Sequence, residues 1–412
     1  MISFVLIAVL TLMPGSNAAS HEPTLCITCG ELGGVDNVLN VLLFLPFGLG
    51  LRLAGMSRRR AFLIAFGTTV AVETLQLHIV PGRDASVGDV LMNSLGGLLG
   101  IALADYRWAF LRPRSQSAER LLVAWSLCWL GIVALSGWLI EPLVPSGQYR
   151  AELAPDLPSI ELFEGHVLRA LLNDRPLAQN GAASTGDSIR AAIRNGTVRI
   201  DATVIPAGPT FDLAPIVNLG PVEKPRVVML GENGNHLAFR VDLRSQLLRL
   251  RNPAVVVPNA FSTASRARDS IRIAGSITRN RALRAEAGHA GMGQAQTLVL
   301  HPFLGWWLLL PMDLVHTSRA DLFSGLWVAM LLLPTGYWSA CAVWGDEPRR
   351  RALTRTVVLS TCAALGGVAL VPLLLGFPLP PAPVWGGAVF GMMLGIVLHL
   401  ATARSRHARV CG

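Results

Sequence analysis

The sequence predicts an α-helical polytopic membrane protein of about eight spans, arranged as two degenerate four-helix halves with an extracytoplasmic, jelly-roll-like β-sandwich inserted. Three observations lead there. The chain is 52% hydrophobic and only 15% charged, with a mean hydropathy of +0.48, whereas a soluble domain carries about 25% charged residues. Its apolar residues come in blocks of about 17–25, the length that crosses a bilayer as a helix. Between these blocks, residues 145–297 change texture to short alternating runs such as Thr197–Ile205, Arg226–Leu230, His236–Val241 and Ser270–Ile277, the period-two pattern of an antiparallel sandwich.

In chain order, spans are expected at 1–13, 37–55, 61–80, 88–105, 119–141, 321–343, 353–375 and 384–402. They divide the chain into a first transmembrane half (1–110), the first span of the second half (119–144), the β-domain (145–297), an interfacial segment (298–318) and the rest of the second half (319–412). The start, Met1–Met13, is short for a span and precedes Ser16-Asn17-Ala18, a pattern compatible with signal cleavage; retained or cleaved, it leaves Cys26 outside. The net charge of +9 is almost wholly arginine, because Lys224 is the only lysine. Arginines beside short loops stay cytoplasmic. Arg58–Arg60, Arg107, Arg112, Arg114, Arg120, Arg349–Arg351, Arg404, Arg406 and Arg409 therefore put both termini inside and the loop at 81–87 and the β-domain outside. Leu298–Met312 is apolar enough to tempt a further span, but that would turn Arg349–Arg351 outward. It is expected to be interfacial or re-entrant, with Trp306 and Trp307 at headgroup level.

One hairpin is unusually polar. The stretch 72–97 carries Glu73, Gln76, Arg83, Asp84, Asp89 and Asn93 between two apolar spans. Glu73 and Gln76 are three apart and share a helix face; Asp89 and Asn93 are four apart and share another. By helical rise Glu73 lies about 10 Å below the outer end of its helix and Asn93 about 6 Å below the start of the next. Asn37 and Asn40 begin the preceding span at a similar depth. A charged side chain in lipid costs about 2.5–3.5 kcal/mol, and such groups turn inward, pair or mark a functional pathway. Helix-to-helix bonding accounts for amides, at roughly 0.6–2 kcal/mol each, but not for the number of ionisable groups.

The run Asn37-Val38-Leu39-Asn40-Val41-Leu42-Leu43-Phe44-Leu45-Pro46-Phe47-Gly48, then Glu73-Thr74-Leu75-Gln76, Arg83-Asp84, and Asp89 and Asn93 followed by Gly96-Gly97-Leu98-Leu99-Gly100, resembles the VanZ-like family of small bacterial membrane proteins over residues of about 1–110. The family is named for a protein associated with low-level resistance to the glycopeptide teicoplanin, so the resemblance implies a role in envelope maintenance or glycopeptide tolerance. The β-domain resembles LamG or concanavalin A-like jelly rolls in Phe211–Leu219, Val227–Gly234 and Leu237–Val241. Such domains often bind glycans with calcium, but no compact Asp/Asn loop is present, and Asp201, Asp212 and Asp242 are read as solvated charges at strand borders.

Placing Met330–Gly336 against Leu42–Gly48 also brings Arg349–Arg351 near Arg58–Arg60 and Met393–Ile396 near Leu98–Ile101. Residues 119–404 then read as a second copy in which Ala364 replaces Glu73 and Ala388 replaces Asn93.

The expected ligand-binding set is Glu73, Gln76, Arg83, Asp84, Asp89, Asn93, Asn37 and Asn40. Arg83 suits a phosphate or carboxylate, while Gln76 and Asn93 suit sugar or amide groups. The expected partner is an outer-leaflet lipid headgroup or a lipid-linked cell-wall component, with a glycan or protein for residues 150–297. No nucleic-acid partner is expected, since no aromatic-basic interleaving accompanies the arginines, and no metal or cofactor is expected. With no Ser, Cys or Lys nucleophile beside a base, recognition without catalysis is the leading expectation. The alternatives are an enzyme acting on a lipid-linked saccharide with Glu73 as acid or base, His78 assisting one turn away, and an envelope assembly protein whose β-domain docks a partner. Cys26-Ile27-Thr28-Cys29 on the oxidising side is read as a disulfide.

Overall fold

A computed structural model describes residues 7, 9, 11–12, 26–28, 30–80, 85–157, 160–177, 186–223, 226–262, 264, 269–289, 292–310, 319–343 and 349–410. The chain opens with four long helices, α1 (Gly33–Leu53), α2 (Arg58–His78), α3 (Val87–Leu111) and α4 (Ser115–Leu139). A β-domain containing one short amphipathic helix, α5 (Gly186–Asn195), follows. The chain then returns to helix with α6 (Ala320–Val343), α7 (Arg349–Leu365), a π-helical turn Gly366–Leu370 running into α8 (Val371–Leu374), and α9 (Ala382–Val410). Among the described residues 7 helices are long and apolar enough to cross a membrane, and the protein is multi-pass. The expected span at 1–13 lies mostly outside the described residues, of which 7, 9, 11 and 12 are helical. Helix α2 starts earlier than the apolar run because Ser57 caps it, accepting from the Arg60 N–H at 3.4 Å. Arg58–Arg60 thereby fall within the helix.

The chain forms two compact units, residues 1–122 with 247–251 and 338–356, and residues 123–246 with 252–337 and 357–412. In the first, α1 and α3 meet backbone to backbone. A Cβ added at Gly48 would collide with the Gly97 carbonyl, one at Gly96 with the Val41 carbonyl, and one at Gly100 with the Leu45 carbonyl and the Leu49 amide. Small residues drive such approaches where lipid supplies no hydrophobic force between helices. Beside the crossing, Phe44 and Phe47 pack edge to face at 6.1 Å, with Ile7, Ala65 and Val72 completing the core.

The second unit builds the same crossing from α6 and α9. A Cβ at Gly336 would meet the Met392 carbonyl, one at Gly391 the Ala329 carbonyl, and one at Gly395 the Leu333 carbonyl and the Tyr337 amide. These pairs match those of the first unit position for position, with a constant offset on each helix, and Pro334 stands inside α6 where Pro46 stands inside α1. The two halves are therefore one helical arrangement built twice. What fills the space beside the crossing differs: Trp129 of α4 and Phe303 stack at 6.3 Å among Val328, Leu332, Ala364, Val384 and Ala388. Trp129 Nε1 donates to the Ala363 carbonyl at 3.0 Å. The π-helical turn follows at once, and a Cβ at its Gly367 would strike the same indole.

The β-domain is a sandwich of two antiparallel sheets. One sheet has the order β1 (Tyr149–Leu153), β5 (Leu213–Pro221), β6 (Val228–Asn233), β7 (His236–Val241), β8 (Ala254–Val257). The other runs β11 (Met292–Val299), β10 (Ala282–His289), β9 (Ile271–Ile277), β4 (Arg199–Ile205), β2 (His166–Leu172), β3 (Arg175–Pro176). Phe239 of β7 packs against Gly275 of β9, where a Cβ would occupy its ring. Within the second unit this domain is tied to helix ends through Glu141, which pairs with Arg244 at 2.5 Å and Arg281 at 3.5 Å. Arg281 also covers the Phe377 ring and donates to the Leu375 carbonyl at 3.0 Å.

Three expectations need correction. Asp201 and Asp242 are not solvated: Asp201 is buried in a two-pronged bond with Arg199, at 2.8 and 3.0 Å, and Asp242 accepts from Asn252 at 3.1 Å; Asp212 alone of the three is exposed. Second, Leu298 and Val299 end β11, and Pro302–Trp306 is a short 3-10 helix. Third, Trp306 and Trp307 are each 2% exposed, stacked on one another with Trp306 donating to Ser324 at 3.1 Å. They are interior groups shielded by protein, not lipid-facing anchors. Residues 311–318 lie outside the described residues.

The crossing predicts opposite effects of one methyl group. Gly96→Ala and Gly391→Ala each force two backbones apart and should cost about 1–3 kcal/mol. Gly50→Ala, where a Cβ meets nothing within 4 Å, should be neutral or stabilise by up to about 1 kcal/mol. Melting of the detergent-solubilised protein measures both.

Strand parity also places Glu232 inside the sandwich. It shares a face of β6 with Val228 and Leu230, Leu230 pairs with Phe239, and Glu232 is 0% exposed with neither carboxylate oxygen partnered. Burial, with the nearby Glu161 charge, pushes its pKa up to about 8. A raised folded-state pKa makes its contribution to stability full below the unfolded value of about 4.5 and lost as pH rises through about 8. Glu232→Gln should therefore flatten the fall in melting temperature across that window and leave the variant the more stable protein at the alkaline end.

Candidate functional site

The first unit gathers most of the expected polar set at one end of its three helices. The buried stripe of α2 carries Thr69, Glu73 and Gln76 at helical spacing. Glu73 is 8%, Gln76 7% and Asn93 1% exposed. By helical rise, Glu73 is about 7.5 Å from the end of α2 and Asn93 about 9 Å from the start of α3, somewhat shallower and deeper than their expected depths.

The contacts form a ladder. At the top, the Glu73 carboxylate accepts from the Ser86 backbone N–H at 3.2 Å. One level down, Asn40 Nδ2 of α1 donates to Asp89 of α3 at 2.6 Å. Deeper still, Asn93 Nδ2 donates to Thr69 Oγ1 at 2.9 Å. Gln76 turns to the N-terminal helical residues, its Nε2 donating to the Thr11 carbonyl at 2.8 Å. The set of Glu73, Gln76, Asp89, Asn93 and Asn40 is thus brought together across three helices. Arg83 and Asp84 lie outside the described residues, and His78 is exposed at the end of α2.

The start of α3 explains part of the arrangement. Its first amides would be orphans. Ser86 caps the helix by accepting from the Asp89 N–H at 3.0 Å, the Gly88 N–H donates to the Cys26 carbonyl at 3.1 Å, and Glu73 takes the Ser86 N–H. A helix N-terminus is ordinarily a ready anion site; here the Ser86, Gly88 and Asp89 amides are taken by the protein's own acceptors. What remains unpartnered is of the opposite kind. Gln76 Oε1 and Asn93 Oδ1 are buried acceptors with no hydrogen bond among the described residues, and an unmet buried acceptor costs about 1–3 kcal/mol. The site therefore offers acceptors to a donor.

A short segment covers the mouth. Asn37 Nδ2 donates to Thr28 Oγ1 at 3.3 Å, which places Asn37 against this cover rather than within the ladder. A Cβ at Gly88 would collide with the Ile27 carbonyl. Residues 247–251, between β7 and β8 in the chain, belong to this unit. Arg249, held at φ 52°, donates through Nη1 to the Thr28 and Gly30 carbonyls. Cys26 is disulfide-bonded; Cys29 lies outside the described residues. Cys128, Cys341 and Cys362 form no disulfide. At the opposite end of the same helices Asp105 of α3 pairs with Arg52 at 2.7 Å and Arg58 at 2.6 Å.

Sequence reasoning missed Thr69, Ser86 and Arg249. Thr69 was available from its spacing, four residues before Glu73 on the same stripe, and Ser86 from the cap pattern Ser-x-x-Asp. Nothing local in the sequence ties Arg249 to Thr28.

Residues 3–109 match the VanZ/LLP1 family model, a region that ends before α4 and contains the whole ladder. No curated protein matches the chain, and no solved structure matches it. Among the described residues no group of three or more His, Cys, Asp or Glu is placed to hold a metal ion.

If Arg249 pins the cover, Arg249→Ala should speed amide exchange at Gly88, whose N–H bonds the Cys26 carbonyl, by about tenfold for each 1.4 kcal/mol by which the cover is weakened. Exchange within α1 and α3 should stay unchanged. Hydrogen exchange read by mass spectrometry on peptides covering 85–95 gives the answer.

Proposed function

We propose that the polar ladder of the first unit recognises the head of an outer-leaflet lipid or lipid-linked cell-wall component, and that the protein serves envelope maintenance or glycopeptide tolerance through that binding. The observation that carries this reading is the comparison of the two units. Their helix crossings correspond residue by residue through the glycine contacts, and on that correspondence Asn40 and Asp89 stand where Val328 and Val384 stand, and Asn93 where Ala388 stands. By the sequence offset of α2 and α7, Glu73 stands where Ala364 stands. All four second-unit residues belong to one apolar core. The same arrangement packs without the polar groups, so helix packing alone does not call for them.

The chemistry of the site supports binding over catalysis. Glu73 is engaged by the Ser86 N–H as a positioning contact, and two buried amide oxygens face no donor of the protein. In a low-dielectric interior such fixed acceptors attract a donor strongly, because water competes poorly there. The arginine-rich ends of the helices favour an extracytoplasmic ladder by the positive-inside rule, and the VanZ/LLP1 match over residues 3–109 supports the link to glycopeptide tolerance.

The second unit supplies its own control. A variant carrying Asn40→Val, Asp89→Val, Glu73→Ala and Asn93→Ala copies the second unit's residues onto the first. It should insert, purify as a monodisperse species and lose the lipids that co-purify with the wild type from a bacterial total polar lipid extract, as read by native mass spectrometry. A folded variant that keeps the same lipids would overturn the reading. A variant that no longer folds would identify the ladder as helix glue instead.

A further inference from the structure

The arginine end of the first unit carries more positive charge than its described carboxylates meet. Asp105 of α3 is already shared by Arg52 and Arg58, and Glu119 of α4 pairs with Arg355 at 3.0 Å. Two further arginines converge on one side chain. The guanidinium carbons of Arg107 and Arg112 lie 5.1 and 4.1 Å from the centre of the Trp108 ring. Arg107 donates through Nη1 to the Ala104 carbonyl at 2.7 Å, and the Arg112 backbone N–H, ending α3, bonds the Trp108 carbonyl at 2.8 Å. Among the described residues no carboxylate is within ion-pair distance of either.

A ring face attracts a guanidinium, but two like charges on one indole repel, and an anion bound by both removes that repulsion. Each guanidinium presents five N–H donors in a planar fork, so edges stay free for a phosphate oxygen pair. The level of the ring says where the anion comes from. Trp108 is 47% exposed, beside the exposed Tyr106, at the end of a helix long and apolar enough to cross a membrane. Exposed Trp and Tyr at the end of a span sit at headgroup depth, where lipid phosphates lie. On the stripe leading to Arg107, Leu103 and Leu99 are exposed at successive turns, an apolar track for a hydrocarbon chain.

We infer that Arg107, Arg112 and Trp108 hold the phosphate of an anionic phospholipid, with one hydrocarbon chain along Leu103 and Leu99. The site lies at the opposite end of the bundle from the polar ladder and does not depend on the function proposed for the ladder. A zwitterionic head brings an ammonium of its own, which two guanidiniums disfavour, so the site selects phosphatidylglycerol over phosphatidylethanolamine. The planar fork, held against the indole, distinguishes this site from a diffuse basic surface.

The full-length protein in mild detergent is offered phosphatidylglycerol and phosphatidylethanolamine at equal concentration, and bound lipid is counted by native mass spectrometry. The wild type should retain phosphatidylglycerol preferentially, and Arg107→Gln/Arg112→Gln should weaken that preference about tenfold, a change of about 1.4 kcal/mol. Arg169→Gln/Arg279→Gln removes the same charge from exposed positions of the β-domain and should leave the preference unchanged. Arg107→Lys/Arg112→Lys keeps the charge, loses the fork and should restore only part of it. The ladder variant should keep the preference, so a lipid lost only there and one lost only from the glutamine pair report two separate sites. Equal retention of the two lipids by the wild type, or an unchanged preference in the glutamine pair, would overturn the inference. A lysine pair equal to the wild type would overturn the guanidinium site in favour of diffuse charge.

Discussion

The structure of each half depends on a backbone-to-backbone crossing. In lipid, helices gain no hydrophobic free energy from meeting each other, and close van der Waals contact has to supply the association. Gly48, Gly96 and Gly100 let α1 and α3 approach until a methyl group would strike a carbonyl. That approach fixes the rotation of both helices, and rotation decides which residues face inward. In that rotation Asn40 meets Asp89, and Asn93 is turned to Thr69 on α2.

The second half shows how much of this is architecture and how much is lining. Its crossing repeats the contacts, down to Tyr337 at the position of Leu49, yet its interior is Val328, Val384, Ala364 and Ala388 around Trp129 and Phe303. An apolar lining needs volume, and the indole of Trp129 supplies it, with the π-helical turn at Gly366–Leu370 opening beside it. A polar lining needs partners, and the ladder supplies them by joining three helices and a cap. Buried polar groups cost stability unless satisfied, and well-packed apolar replacements are often neutral or better. The two amide oxygens left without donors are therefore a cost that the apolar version avoids.

Much of this was legible in the sequence, for reasons particular to membrane proteins. Long apolar blocks report helices directly, since a span must satisfy its backbone internally, and seven of the eight expected spans coincide with helices, most ends to within a few residues. Strand alternation likewise located the runs at Thr197–Ile205 and His236–Val241. The duplication was visible in the Pro-x-Gly of Pro46 and Pro334, and the carbonyl contacts of the two crossings keep the register of that alignment. Other features were not local. Glu232 obeys the parity of an inward residue, but its charge argued for the surface; Asp201 found Arg199 two residues away, across no sequence signal beyond alternation. Trp306 and Trp307 look like interface anchors by composition, and only the surrounding chain makes them interior. Arg249 reaches Thr28 across more than two hundred residues.

Charge also explains why the two ends of the first bundle differ. At one end Asp105 is shared by Arg52 and Arg58, so a lone acid is outnumbered by arginine, and Arg59 and Arg60 add to the excess. At the other end Glu73 accepts from the Ser86 N–H and Asp89 from Asn40, and Ser86 caps the start of α3. A helix bundle with a basic end and an acidic end has a preferred orientation in a membrane that retains positive charge inside. By that rule the end carrying Arg52, Arg58, Arg59 and Arg60 is the one expected to stay on the cytoplasmic side, which would turn the ladder of Glu73, Asp89 and Asn93 outward.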